Sequence, residues 1–307
     1  MKRDIDHLPL RQQEELALIK QILLDEFDAA LKSGGGGTQS WHRDGRVLKI
    51  ILFGSYARND WVDERLNGYQ SDFDLLIIVN HEKLTDIADY WYVAEDKILR
   101  DQRVDRTVNI IVHTMQEVGQ GLTKGDYFWS DIIRDGVALH ELEGHAFPAP
   151  KPITTGDALA AAEQYFAQWM PKVAEALAGA EFYVARGNVR DASFLLHQAT
   201  ERVYACLLLV YTFYFPRSHN IKFLRSLAES LDKSLISAWP RDQRVARRRF
   251  ELLKRSYVEA RYADQFDMTL DDLSALTLSL ETLSQLVEAS CRVRIAELEA
   301  AANVQPA

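Results

Sequence analysis

Two short, nearly unbroken apolar runs, Val47 to Phe53 and Phe73 to Val79, constrain this chain more than any other feature. Both are rich in β-branched, leucine and aromatic residues and too short to be typical helices, so they read as buried strands. The first run stops at Gly54, which predicts a tight turn, and Ser55 opens the next element. The second has Asp72 just ahead of it and Asp74 in its first residues. Side chains alternate faces along a strand, so Asp72 and Asp74 are expected to project to the same side.

The chemistry of this segment follows from its residue types. A Gly-Ser pair lets phosphate oxygens approach backbone N–H groups, and a helix starting near Ser55 directs partial positive charge toward an anion. Arg58 adds a charge-assisted contact to the same phosphates. Juxtaposed carboxylates repel unless a cation lies between them, and hard oxygen ligands suit Mg²⁺ or Mn²⁺. Either half alone is common in α/β proteins, the Gly-Ser as an ordinary turn and the Asp-x-Asp as a strand-entry cap. Their order and placement at strand ends carry the signal.

With Gly54-Ser55, Arg58 and Asp72-x-Asp74 on the page, the segment Leu52 to Val79 resembles the signature of the DNA polymerase β-like nucleotidyltransferase superfamily in its minimal form. The resemblance implies transfer of a nucleoside monophosphate, most simply adenylyl from ATP, to an acceptor with release of pyrophosphate. It assigns the metal to Asp72 and Asp74 and the β- and γ-phosphates to Gly54 and Ser55, with Arg58 offsetting charge on the leaving pyrophosphate. Relatives commonly use a pair of metal ions and a third carboxylate on a later strand. Here that strand is Val108 to His113 and the aligned residue is Asn109, whose amide oxygen can ligate a metal but cannot act as a base. Asp105 is the substitute if the strand begins sooner. The acceptor is left open among small molecules, RNA ends and proteins. A non-catalytic nucleotide-binding regulator is the alternative that Asn109 motivates.

Composition bounds the rest. At 307 residues the chain has room for two domains, and 47% hydrophobic with 26% charged residues is the balance of an ordinary globular protein. A formal net charge of -9 provides no global basic field for long nucleic acid. Cys206 and Cys291 sit inside apolar helical patterns, where core packing is the expected role. No apolar run is long enough to span a bilayer and the first residues lack an apolar signal core, so no membrane partner and a cytoplasmic location are expected.

The chain divides at a proline-rich stretch. Residues 1–147 are expected to form an α/β nucleotidyltransferase domain with a small mixed sheet, 148–156 a linker, and 157–307 an all-helical bundle, giving an α+β fold class overall. In the first part, Leu10 to Leu31 shows helical spacing, Ser33 to Ser40 reads as a flexible glycine connector, and one mixed helix is expected over about Leu84 to Arg103, with Trp91 and Tyr92 packing. A further helical segment lies near Gln116 to Leu122. Beyond the prolines, Ala158 to Ala185, Val189 to Phe215, Asn220 to Leu231, Gln243 to Ala263 and Leu270 to Ala300 carry helix-period apolar residues, four long helices and a short one.

This second part resembles the HEPN domain through Leu195 to Arg202, Ser218-His219-Asn220 ahead of Ile221 to Leu224, and Tyr257 to Tyr262. Some HEPN domains are metal-independent ribonucleases that pair Arg and His, with four to six residues between them, across a dimer; Arg190 and His197 have six between them, and Asp191 supplies the polar residue often found after the Arg. The plain alternative for His197 is an interhelical hydrogen bond. His219, with Arg255 and Arg261, is the candidate nucleotide contact of the helical domain, while Ser218 or Asn220 also reads as a simple helix cap. Arg244, Arg247, Arg248 and Arg249 read as a solvated basic face. His113 is either a core histidine or a neighbour of the triphosphate. A homodimer is the expected assembly.

Overall fold

The computed structural model describes residues 1–33, 39–64 and 69–304. Residues 34–38 of the expected glycine connector lie outside the described residues. The chain forms two compact units, one running to Pro152 and the other beginning at Ile153.

The first unit is built on a four-stranded sheet of β1 (Val47–Phe53), β4 (Phe73–Val79), β5 (Val108–Thr114) and β6 (Val137–Glu141), in the order β5-β4-β1-β6. β1 runs antiparallel to both β4 and β6, while β4 and β5 are parallel. A small hairpin of β2 (Asp63–Glu64) and β3 (Tyr69–Gln70) lies between β1 and β4 in sequence. Every residue of β1 and β4 is buried, as continuous apolar runs demand when both faces of a sheet are covered. Full burial of each such Leu or Ile is worth about 1.5–3 kcal/mol.

One sheet face, carrying Ile50, Leu52, Leu75 and Ile77, packs against Leu16, Ile19, Leu23 and Phe27 of helix α1 (Leu10–Ser33). The opposite face meets α6 (Met115–Lys124) and α7 (Tyr127–Asp135), where Phe53 meets Phe128 edge-on at 5.7 Å and His113 meets Trp129 at 5.0 Å. The single buried lysine of β1, Lys49, is neutralised by Glu141 and lies over the Phe147 ring at 5.0 Å.

The parallel β4–β5 pair requires a crossover, and this segment departs from the single helix expected over Leu84 to Arg103. It breaks into a 3₁₀ turn (Glu82–Thr85), α4 (Ile87–Tyr90) and α5 (Tyr92–Arg100). Asp86 causes the break: its carboxylate accepts from the N–H groups of Ala88 and Asp89 and starts a new helix. Trp91 is buried, stacks on Phe27 at 5.0 Å and donates its indole N–H to the Leu84 carbonyl. Tyr92, expected to pack beside it, is 61% exposed, because consecutive helical residues point in different directions and only one can face the core.

The second unit is all helical: α8 (Thr155–Val184), α9 (Val189–Thr212), α10 (Ile221–Leu231), α11 (Arg244–Tyr262) and α12 (Leu270–Val304), with a 3₁₀ turn over Lys233–Ala238. α9 is the central element and is buried almost all round, from Ala192 through Thr212. Gly179 of α8 allows the close approach, since a Cβ there would stand 3.0 Å from Leu195 of α9. α9 ends earlier than its apolar pattern suggests because Phe213 adopts a left-handed conformation, φ 60°. Cys206 and Cys291 are both buried free thiols of this core. No helix among the described residues is long and apolar enough to cross a membrane.

Candidate functional site

The geometry at one end of the sheet follows from strand register. β4 and β5 pair in parallel so that Asp74 stands beside Asn109, and on the other side Phe53, the last residue of β1, stands beside Asp74. Asp72, two residues back, shares the face of Asp74. The three side chains meet: Asn109 donates its amide N–H to Asp74 Oδ1 at 2.9 Å and to Asp72 Oδ2 at 3.4 Å. All three are buried, each at about 5% exposure or less.

Gly54 closes the site from the β1 side. Its φ of +73° lies in the left-handed region, and a Cβ on it would stand 2.6 Å from Asp74 Oδ2. Glycine is therefore needed twice over, for the turn and for the approach of the carboxylate. Ser55 then begins α3 (Ser55–Arg58), which Asn59 ends in a left-handed conformation. Arg58 is directed to Asp60 at 3.3 Å, and its side chain is one-third exposed at 34%. Its charge also reaches α7, where it helps hold Asp135 below the usual carboxylate range, behind the larger effect of the hydrogen bond from Arg134.

An arginine that sequence reasoning misses supports this turn. Arg106, in the loop before β5, is buried; it donates Nε–H to the Tyr56 hydroxyl at 2.6 Å, and its two terminal nitrogens donate to Glu15 and Asp63, each at 2.7 Å. Tyr56 follows Ser55 directly, and its buried ring stacks on Trp61 at 5.3 Å and tilts against Phe73 at 4.5 Å. The Gly54–Ser55 turn is thus anchored to α1, the hairpin and β5 through one guanidinium. Arg106 lies in a polar loop with no periodic pattern, so nothing local marks it.

The remaining expectations fall elsewhere. Asp105 accepts from Arg11 of α1 at 2.7 Å, so its carboxylate is engaged with a helix rather than with the aspartate pair. His113 lies on the strand face of Asn109 but four residues, about 13 Å, further along, against Trp129 and Glu117.

In the helical unit, His219 stacks on Tyr257 at 4.2 Å, Arg261 lies over the same ring at 4.6 Å, and Arg255 instead pairs with Glu259. Asn220, not Ser218, caps α10, accepting from the N–H groups of Lys222 and Phe223. Arg190 donates to the carbonyls of Ala263 at 2.8 Å and Asp264 at 3.1 Å, finishing the end of α11. His197 is fully buried and makes no hydrogen bond through either ring nitrogen among the described residues, which also corrects the interhelical bond expected of it. Burial first, then the charges of His219 and Arg261, lower its pKa to about 4. The basic run of α11 is engaged rather than simply solvated: Arg248 and Arg249 both donate to Asp272.

Beside His219 lies a cavity of about 420 Å³ lined by Trp169, Phe215, Glu201, Arg202 and Arg217. Nδ1 of His219 is 2.8 Å from Glu201 Oε1, and the same oxygen lies 3.6 Å from Nδ1 of His197.

Among the described residues no group of three or more His, Cys, Asp or Glu side chains is placed to hold a metal. The paired carboxylates of Asp72 and Asp74 do fit a hard divalent cation. Their carboxylates lie close enough to share the one Asn109 Nδ2, and the missing side chain of Gly54 lets Asp74 Oδ2 approach the turn.

A glycine turn facing paired strand-end aspartates on a small mixed sheet defines the class of nucleotidyl-transferring domains. The comparisons with known proteins agree: a nucleotidyltransferase domain family matches residues 39–124, and a HEPN domain family matches residues 166–290. A protein of Methanocaldococcus jannaschii, provisionally named as a protein adenylyltransferase, is 30% identical over 115 residues, which are 37% of this chain and 97% of the relative. The chain belongs to the nucleotidyltransferase family and carries a HEPN domain as its second unit.

Proposed function

We propose that the first unit transfers AMP from ATP, with a bound Mg²⁺ or Mn²⁺, to an acceptor group. The observation that supports this reading most is the convergence of Asp72 and Asp74 at the Gly54 turn. Asp72 and Asp74 would hold the cation, which supplies charge neutralisation at the reacting phosphate and on the leaving pyrophosphate. The backbone at Gly54 and Ser55 would receive the β- and γ-phosphates, since the absent side chain of Gly54 leaves its N–H accessible. Arg58, directed to the exposed Asp60, would turn to the leaving group. Arg106 and Tyr56 would keep the turn in place. Positioning and fixed charge, rather than a protein nucleophile, would provide the acceleration. The name of the archaeal relative favours a protein as acceptor.

The cavity beside His219 supports an auxiliary role for the helical unit. Trp169 and Phe215 offer faces to an aromatic ring, and Arg202 and Arg217 offer charge to an anion, so a nucleotide or acceptor would be held there. Ribonuclease chemistry is disfavoured by the burial of His197 and by the engagement of Arg190 with backbone carbonyls.

The test is incubation of the full chain with Mg²⁺, α-labelled ATP and cell extract. Transfer of label to a macromolecule with pyrophosphate release is expected. No labelled product, or labelling retained in the double variant Asp72→Asn with Asp74→Asn, would overturn the proposal. ATP binding by calorimetry without turnover would favour the regulator alternative.

A further inference from the structure

We propose that Asn109 limits the site to a single divalent cation, the one that arrives with the triphosphate, and leaves deprotonation of the acceptor to solvent. This rests on the nucleotidyl-transfer reading above and goes beyond it. The parallel register delivers a third side chain to the aspartate pair, and in this chain that side chain is neutral. Asn109 also presents its donor atom: Nδ2 contacts both carboxylates, at 2.9 and 3.4 Å, and so occupies lone pairs that a second cation would need.

A cation beside the nucleotide brings its own ligands, the triphosphate oxygens. A cation on the acceptor side depends on protein carboxylates alone. Replacing one unit of negative charge by an amide about 4 Å away weakens the site of a divalent ion by on the order of 10³-fold or more at the effective dielectric of a protein pocket. Among the described residues no third carboxylate joins the pair. Asp105 is directed to Arg11, and Glu15 and Asp63 are directed to Arg106.

The consequence for the reaction is specific. The acceptor oxygen bonds to the α-phosphorus, and the bond from that phosphorus to the oxygen bridging to the β-phosphorus breaks. Pyrophosphate departs with the electron pair. The acceptor proton goes to water, because Asn109 has no basic atom to receive it. The rate is then expected to rise with pH up to the pKa of the acceptor itself.

The experiment is Mn²⁺ counting by equilibrium dialysis and electron paramagnetic resonance on the full chain. It uses saturating α,β-methylene-ATP and subtracts the Asp72→Asn, Asp74→Asn background. One Mn²⁺ per chain is expected for the native protein and for Asn109→Ala, and two, a doubling, for Asn109→Asp. Two in the native protein would overturn this inference alone, whatever the fate of the variant. So would a folded Asn109→Asp that still binds one. None in the native protein would overturn the nucleotidyl-transfer reading and this inference with it.

Discussion

The sheet unit and the helical unit both bury polar side chains, but they treat them in opposite ways. At the sheet end, Asp72, Asp74 and Asn109 are brought face to face by strand register and bond to one another, and Arg106 directs every donor nitrogen it uses at a carboxylate or a phenol. In the bundle, His197 is buried on α9 with neither ring nitrogen hydrogen-bonded among the described residues, and Glu201 one turn along is shared with the exposed His219. The first arrangement is preorganised, since its members already hold each other in place. The second stores an unmet hydrogen-bonding demand, which costs stability and makes the unit sensitive to protonation.

The contrast can be broken by experiment, and the largest effect is expected at the sheet. If the carboxylate pair acts by fixed charge, Asp74→Asn should lower nucleotidyl transfer by about 10³-fold or more while leaving the thermal unfolding midpoint nearly unchanged. Radiolabel transfer and calorimetry on the same preparation would check both halves of that statement.

Arg106→Met should instead act on stability. It leaves Glu15 and Asp63 without their buried cation, and a loss of about 3–5 kcal/mol is expected in urea titrations. If stability is retained, the clamp is not what anchors the turn.

Acid should separate the two units. His197 titrates near 6.5 when unfolded and about 4 in the fold, so between these values the unfolded chain binds the proton and the bundle loses stability as pH falls. By pH 4 the loss amounts to about 3 kcal/mol, and His197→Leu should abolish the slope. Asp126, at the start of α7, behaves in the reverse sense. Burial raises its pKa from 3.8 to about 6, so the folded state holds the proton and the sheet unit gains stability over the same descent. Hydrogen exchange at pH 7 and pH 4.5 should therefore show protection falling in α9 and rising around α6 and α7.

Gly54→Ala tests the close approach. The new methyl would collide with Asp74 and strain a left-handed turn, and an activity loss of about 10²-fold is expected from misplacement of one carboxylate. Full activity in this variant would mean that the turn can shift without harm.

How much of this is legible in the sequence differs by region for the same reason. β1 and β4 announce their own ends, because their apolar runs are bounded by Gly54 and Asp72, and the bounds Val47–Phe53 and Phe73–Val79 are those observed. The placement of Asn109 beside the aspartates follows once β5 is aligned in parallel with β4. The long bundle helices are equally plain from their period. What escapes is a pair of short polar features without apolar period, the hairpin of Asp63–Glu64 with Tyr69–Gln70 and the break at Asp86, and whatever depends on distant partners, as Arg106 does on residues 15, 56 and 63. The engagement of Arg190 with the end of α11 is of the same kind.

The Arg106 clamp also has a consequence for how the protein comes into being. The Gly54–Ser55 bend and the aspartates lie within a short stretch of chain, yet the guanidinium that steadies the bend is encoded some fifty residues later and reaches back ninety-one residues to Glu15. Contacts of such sequence separation form late. A chain still emerging from the ribosome therefore holds this bend without its guanidinium until residue 106 has been added.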